Sequence, residues 1–167
     1  DTLTLQRDAL FQVDPGGDLG AQALGGEEVE HQKTPSPQMD TMVGASADKT
    51  KFSYGVLRVL HETGYDMIPV NPNPALTEIR GIKVYPNLAS IDRPVDMVQV
   101  FRRREELYGI TEEAIEIGAK VLWGQIGVYD DAAAQLAEDA GMRVVMNRCP
   151  KIELFRPFWK PRLDLAI

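Results

Sequence analysis

Residues 39–70 read MDTMVGASADKTKFSYGVLRVLHETGYDMIPV, and this stretch decides the fold. An apolar segment at 39–43 leads into a glycine loop. Residues 53–62 then carry apolar side chains at helical spacing, and a second apolar segment at 65–70 stops before Pro72. The order strand, helix, strand predicts a βαβ unit with two parallel strands.

The same alternation continues outward from this unit. It predicts further strands at 95–101, 120–123 and 143–146, and helices at 111–117 and 130–140. Ser53 is the expected N-cap of the first helix. Thr111 is expected to start the second helix, with Glu112 and Glu113 in its first turn. We therefore predict an α/β fold: a single domain built on a Rossmann-like parallel sheet, with helices on both faces and right-handed crossovers.

The first 38 residues have a different composition, with frequent glycine, proline and acidic residues and no clear period. We predict an irregular or flexible N-terminal arm there, although residues 5–13 have the spacing of a short helix. The predicted boundaries are 1–38 for the arm, 39–153 for the Rossmann-like domain and 154–167 for a C-terminal tail.

Composition and charge narrow the class of protein. The chain has 167 residues and a net charge of −7, which disfavours general nucleic-acid binding because the phosphate backbone requires a basic surface. The single cysteine excludes an intramolecular disulfide. No apolar run approaches the roughly 20 residues of a membrane span, and no signal peptide is visible. We expect a cytoplasmic protein without a membrane or nucleic-acid partner.

The loop after the first strand is the first candidate site. Its glycine permits close backbone approach, and the helix that follows offers N–H groups that suit a phosphate. The loop matches neither G-x-G-x-x-G nor a P-loop, and a plain strand-to-helix turn fits its spacing equally well. The candidate residues are Gly44, Ala45, Ser46, Lys49, Ser53, Tyr54 and Gly55.

The second strand ends in Val70, Asn71 and Pro72, without the acidic residue that usually holds the ribose of NAD. This end suits an adenosine held by apolar and backbone contacts. Pro72 by itself is explained more simply as the residue that stops the strand.

The third and fourth strand ends add polar candidates. The third strand ends at Phe101 and is followed by Arg102, and an arginine there suits an anion. We assign a ligand role to Arg102, and we expect Arg103 and Arg104 to be solvated and paired with the two glutamates that follow them. Gln125, after the fourth strand, either binds a ligand or caps its own loop.

No catalytic or metal site is predicted. His31 and His61 have no nucleophile or carboxylate at triad or metal spacing, and both are expected at the surface. Cys149 lacks a neighbouring histidine or second cysteine, which favours a buried small residue over a nucleophile.

A series of motifs, in order, resembles the small CoA-binding proteins, which are stand-alone relatives of the CoA-binding domain of the succinyl-CoA synthetase α subunit. The resemblance covers residues 40–153. It is carried by residues 43–46 (VGAS), 53–56 (SYGV), 68–72 (IPVNP), 84–88 (VYPNL), 95–98 (VDMV), 100–102 (VFR), 118–120 (GAK), 125–128 (QIGV) and 148–150 (RCP).

The resemblance implies that coenzyme A is the ligand. The glycine loop and helix start would lie against the CoA phosphates, the second strand end would line the adenosine, and Phe101 and Arg102 would face the same cleft. The chain departs from the family in its polar first strand, where Asp40 and Thr41 stand, and in its N-terminal arm. The synthetase's phosphorylated histidine lies in a second domain without a counterpart here, so binding without ligase chemistry is expected.

The predicted function is therefore non-catalytic binding of CoA or an acyl-CoA. One alternative is a nicotinamide-nucleotide-binding oxidoreductase or redox sensor. Another is the CoA-binding subunit of a multi-chain acyl-CoA ligase. A homo-oligomer or a partner chain is compatible with each of these hypotheses.

Overall fold

The computed structural model describes residues 39–155, so the predictions for residues 1–38 and 156–167 lie outside the described range. The elements in chain order are β1 (Met39–Val43), α1 (Phe52–Glu62), β2 (Asp66–Val70), β3 (Glu78–Ile79), β4 (Ile82–Lys83), β5 (Met97–Val100), α2 (Leu107–Glu116), β6 (Val121–Gly124), α3 (Asp131–Asp139), β7 (Arg143–Val145) and α4 (Pro150–Leu154). The predicted bounds of the five main strands agree with these to within two residues.

The main sheet is parallel and has the strand order β2-β1-β5-β6-β7. Val43 at the end of β1 pairs with Val70 on one side and with Val100 on the other. The strand order reverses at β1, because the chain moves out to β2 and then returns to build β5, β6 and β7. Ligands of parallel α/β sheets bind at the carboxyl ends of the strands beside such a reversal.

Helices cover both faces of this sheet. On one face α2 and α3 pack against each other and over Val98 and Leu122. The helix α1 connects β1 to the adjacent parallel strand β2, and the right-handed crossover that such connections almost always adopt puts it on the opposite face. Its Val56, Leu57 and Leu60 are buried. The α/β, Rossmann-like prediction is confirmed.

The predicted N-cap of α1 is wrong. Lys51 occupies the N-cap position in an extended conformation, and its side chain makes no capping hydrogen bond. Ser53 instead lies within the first turn and is only 6% exposed. Ser53 lies on the same buried helix face as Val56 and Leu57.

The predicted start of α2 is also wrong. The helix begins at Leu107, four residues before Thr111, directly after a 3-10 turn at Arg104–Glu106. Leu107 and Ile110 belong to the buried core, and this burial fixes the start of the helix. The predicted first-turn glutamates therefore lie in the second turn.

Three short elements were not predicted. A hairpin of two-residue strands, β3 and β4, follows β2, and α4 follows β7. Elements this short carry too few residues for a hydrophobic period to appear in the sequence. The described residues contain no helix long and apolar enough to cross a membrane.

The sheet contains a buried polar pair that explains the unusual first strand. Asp40 and Gln99 are fully buried, and the Gln99 side-chain amide donates to the Asp40 carboxyl group between β1 and β5. Burial raises the pKa of Asp40 well above its ordinary value of 3.8, and the hydrogen bond from Gln99 opposes this shift. The acid is therefore held neutral over a wider pH range than an exposed aspartate.

Candidate ligand-binding site

The first glycine loop and the end of β5 are in close contact. Gly44 has a φ of +91°, and a Cβ on residue 44 would lie 2.6 Å from the Phe101 carbonyl oxygen and 3.0 Å from Arg102 Cδ. Only glycine fits such a position without a shift of the backbone. The structure thus brings together three predicted site residues from two neighbouring strands.

The end of β2 is tied to the same loop. The Gly44 and Ala45 N–H groups both donate to the Val70 carbonyl oxygen, at 3.0 and 3.2 Å. The Asn71 amide nitrogen donates to the Ala45 carbonyl oxygen at 2.7 Å, and its amide oxygen accepts from the Asn73 N–H at 2.9 Å. Asn71 therefore ties the glycine loop to the end of β2 with its amide nitrogen, while its amide oxygen holds the turn that follows β2. The neighbouring Pro72 is exposed.

Residues 46–51 form a loop held by short-range hydrogen bonds. The Ser46 hydroxyl oxygen accepts from the Asp48 N–H at 3.1 Å. The Asp48 carboxylate accepts from the Thr50 hydroxyl at 2.7 Å and from the Thr50 N–H at 2.9 Å, and these bonds lower the pKa of Asp48. Lys49 is exposed beside them. The loop is thus shaped before any ligand arrives, and it leads into the uncapped N-terminus of α1.

Tyr54 is directed towards the β3–β4 hairpin. Its hydroxyl group lies 3.4 Å from an Arg80 guanidinium nitrogen, and the same guanidinium donates to Glu62 at 2.9 Å. Arg80 therefore runs along the outer side of α1 and holds the hairpin there. Gly55, by contrast, has open space where a Cβ would stand, so no close approach requires glycine at that position.

The arginines after β5 have partners that differ from those predicted. Arg102, the predicted ligand residue, is the one that pairs with a following glutamate: its Nε and Nη2 atoms lie 2.9 and 2.8 Å from Glu106 Oε2. Arg104 stacks instead over Tyr129, 4.6 Å from the ring centroid. Arg103 is exposed. The prediction that the glutamates pair with Arg103 and Arg104 is wrong, because Arg103 is extended and the 3-10 turn that follows it, at Arg104–Glu106, places Glu106 against Arg102 instead.

Gln125 caps its own loop. Its side-chain oxygen accepts from the Ile126 N–H at 3.1 Å, while the Gly127 N–H donates to Asn147 Oδ1 at 2.8 Å. Asn147, with a φ of +56°, was not predicted as a site-edge residue. Asparagine tolerates this left-handed conformation better than most residues. An asparagine shortly after a strand is therefore the one local sequence feature that could have indicated Asn147.

The two histidines and the cysteine are residues for which the sequence predicts no chemical role. His61 is exposed on α1, as predicted, while His31 lies outside the described residues. Cys149 is buried, also as predicted, directly before α4. Residues 39–155 contain no group of three or more histidine, cysteine or acidic side chains arranged to hold a metal ion.

Two curated proteins are similar to this chain in sequence. YneT, an uncharacterised protein of Bacillus subtilis (strain 168), is 39% identical over 111 residues, which are 66% of this chain and 81% of YneT. The alpha subunit of the ADP-forming acetate–CoA ligase I of Pyrococcus furiosus is 28% identical over 124 residues, 66% of this chain, and the chain spans 27% of that subunit's length.

The fold is also similar to that of solved structures. A solved structure of a hypothetical protein from Pyrococcus horikoshii OT3 is 36% identical, with a TM-score of 0.65 over 68% of this chain and 79% of that one. The sequence pattern of the CoA binding domain family matches residues 41–154, which include every predicted site residue. The chain belongs to the CoA binding domain family.

Proposed function

We propose that this protein binds coenzyme A or an acyl-CoA, without catalysis of its own, at the carboxyl ends of β1, β2 and β5. One observation carries the proposal: Gly44 lies directly against Phe101 and Arg102, beside the reversal of strand order. A phosphate at this loop would meet main-chain N–H groups at the start of α1 and a guanidinium group from β5. Membership of the CoA binding domain family supports CoA or an acyl-CoA as the ligand.

The chemistry at the end of β2 favours CoA over a nicotinamide nucleotide. A nicotinamide cofactor usually relies on a carboxylate there for its ribose hydroxyl groups. Asn71 occupies the position, and its amide nitrogen and oxygen are both engaged within the protein. The oxidoreductase or redox-sensor alternative therefore lacks its main recognition group.

A second candidate function is that of a CoA-binding subunit in a multi-chain acyl-CoA ligase. The likeness to the Pyrococcus furiosus ligase subunit supports it, although the chain spans only 27% of that subunit. We propose a cytoplasmic location in either case. Affinity purification from native lysate would separate the two functions: a stoichiometric catalytic partner supports the subunit, and recovery of the chain alone supports the stand-alone binder.

The expected ligand preference can be measured by calorimetric titration of the purified chain with CoA, acetyl-CoA, NAD and NADP. We expect saturable 1:1 binding of CoA or acetyl-CoA, and at least tenfold weaker binding of both nicotinamide nucleotides. That ratio corresponds to about 1.4 kcal/mol of binding free energy. Tighter binding of NAD than of either CoA species would refute the proposal.

The contribution of Arg102 can be tested by its replacement with alanine. Loss of a charge-assisted hydrogen bond costs about 1.5–3 kcal/mol, so Arg102→Ala should weaken CoA binding by about tenfold or more. Ser46→Ala should cost less, since a neutral hydroxyl contributes about 0.5–1.5 kcal/mol. Arg103→Ala is the matched control, because Arg103 is exposed and carries the same charge. If all three variants bind CoA as the parent does, the phosphate does not lie at this loop.

A further inference from the structure

The Arg102 side chain is held at two points along its length. Its Cδ atom lies against Gly44, 3.0 Å from the place where a Cβ on residue 44 would stand. Its Nε and Nη2 atoms then contact a single oxygen, Glu106 Oε2, at 2.9 and 2.8 Å. The stem and one edge of the guanidinium group are therefore both fixed beside the glycine loop.

This arrangement leaves a second edge of the same guanidinium group for a ligand. A guanidinium group has five N–H donors, and Glu106 occupies only the inner edge formed by Nε and Nη2. The outer edge, formed by Nη1 and the other N–H of Nη2, makes no hydrogen bond or ion pair within residues 39–155. An anion at the loop can bind there while Glu106 stays in place.

We propose that Glu106 is a positioning residue, which orients Arg102 across the glycine loop so that the outer edge of its guanidinium group meets a ligand phosphate. The inference rests on the proposed CoA-binding function and assigns a role that sequence reasoning did not give to this glutamate. Orientation is the main effect of the pair. Both side chains are 38% exposed, and ion pairs this exposed contribute little to folding stability.

Electrostatics alone predicts that removal of Glu106 strengthens CoA binding, whereas a positioning role predicts that it weakens binding. The two explanations can therefore be distinguished by experiment. CoA is anionic, and removal of a nearby negative charge would by itself strengthen its binding. If orientation dominates, Glu106→Ala weakens binding even though the site becomes more positive. Glu105→Ala is the matched control, because it removes the same charge from the same turn, and the exposed Glu105 side chain forms no ion pair with Arg102 in the described part of the chain.

The experiment measures CoA affinity by calorimetry for the full chain and its variants. We expect Glu106→Ala to weaken binding by about three- to tenfold, with an unchanged melting temperature, and Glu105→Ala to bind at least as tightly as the parent. Glu106→Gln keeps an acceptor oxygen and should restore affinity to within about twofold of the parent. The double variant R102A/E106A should bind no more weakly than Arg102→Ala, since Glu106 acts only through Arg102.

A second measurement does not depend on the ligand. The Arg102 Nε–H resonance in ¹⁵N NMR should be ordered on the nanosecond timescale in the parent and in Glu106→Gln, and mobile in Glu106→Ala. Unchanged or tighter CoA binding by Glu106→Ala, or an Arg102 resonance equally ordered in all three proteins, would overturn the positioning role while the proposed function stands. Absence of CoA binding by the parent would instead refute the proposed function and, with it, this inference.

Discussion

Gly44→Ala is expected to abolish measurable CoA binding and to destabilise the protein. The new methyl group would stand 2.6 Å from the Phe101 carbonyl oxygen, which belongs to the backbone and cannot rotate away. The φ of +91° adds strain, because alanine at a positive φ costs more than the roughly 0.4–1 kcal/mol gained where its backbone fits. The loop and the end of β5 must therefore separate, and the arrangement that would hold the phosphate is lost.

Gly109→Ala is the matched control for this variant. Gly109 lies within α2, and nothing stands within 4 Å of the position that its Cβ would take. Alanine there should stabilise the helix by up to about 1 kcal/mol and leave CoA affinity unchanged. Urea denaturation and calorimetry on both variants test the pair. Parent-like stability and affinity in Gly44→Ala would contradict the close packing of the loop.

The parent protein is expected to lose stability as the pH rises above the range where an ordinary aspartate titrates. Asp40 has a raised pKa in the folded state, so between 3.8 and that raised value the folded state binds one proton more than the unfolded state. The free energy of unfolding then falls by about 1.4 kcal/mol per pH unit. The contribution of the protonated, buried Asp40 to the free energy of unfolding is complete below pH 3.8. It is lost as the pH rises through the folded-state pKa of Asp40.

Asp40→Asn should remove this slope. The amide keeps the shape of the carboxyl group and can still pair with Gln99, but it carries no proton to lose. Asp139→Asn is the control, because it removes an exposed carboxylate from the last turn of α3 and should leave the slope unchanged. Urea titrations between roughly pH 5 and 8 provide the measurement. Burial raises the pKa of Tyr65 to about 12, so its titration lies outside that window. Equal slopes in the parent and in Asp40→Asn would show that Asp40 ionises normally.

The sequence by itself determined the fold class and the strand ends from which the candidate site is built. Periodic burial is a local property: a strand or helix with one buried face repeats its apolar residues at a fixed spacing, whatever it packs against. The alternation from Met39 onward was therefore enough to predict a parallel α/β sheet. Such a sheet brings the carboxyl ends of its parallel strands to one edge, and this rule alone predicts that Gly44, Asn71 and Arg102 lie near one another.

Only the tertiary structure decided what each of these side chains contacts. Asn71 forms a hydrogen bond with Ala45, and Tyr54 forms one with Arg80; in each pair the two residues are 26 positions apart in the sequence. Contacts of this kind depend on strand register, on a hairpin too short to be predicted and on rotamers chosen by packing. The spacing of residues in the sequence does not predict such contacts. The Arg102–Glu106 pair spans only four residues, yet sequence reasoning missed it because the pair depends on a 3-10 turn at Arg104–Glu106 that was not predicted.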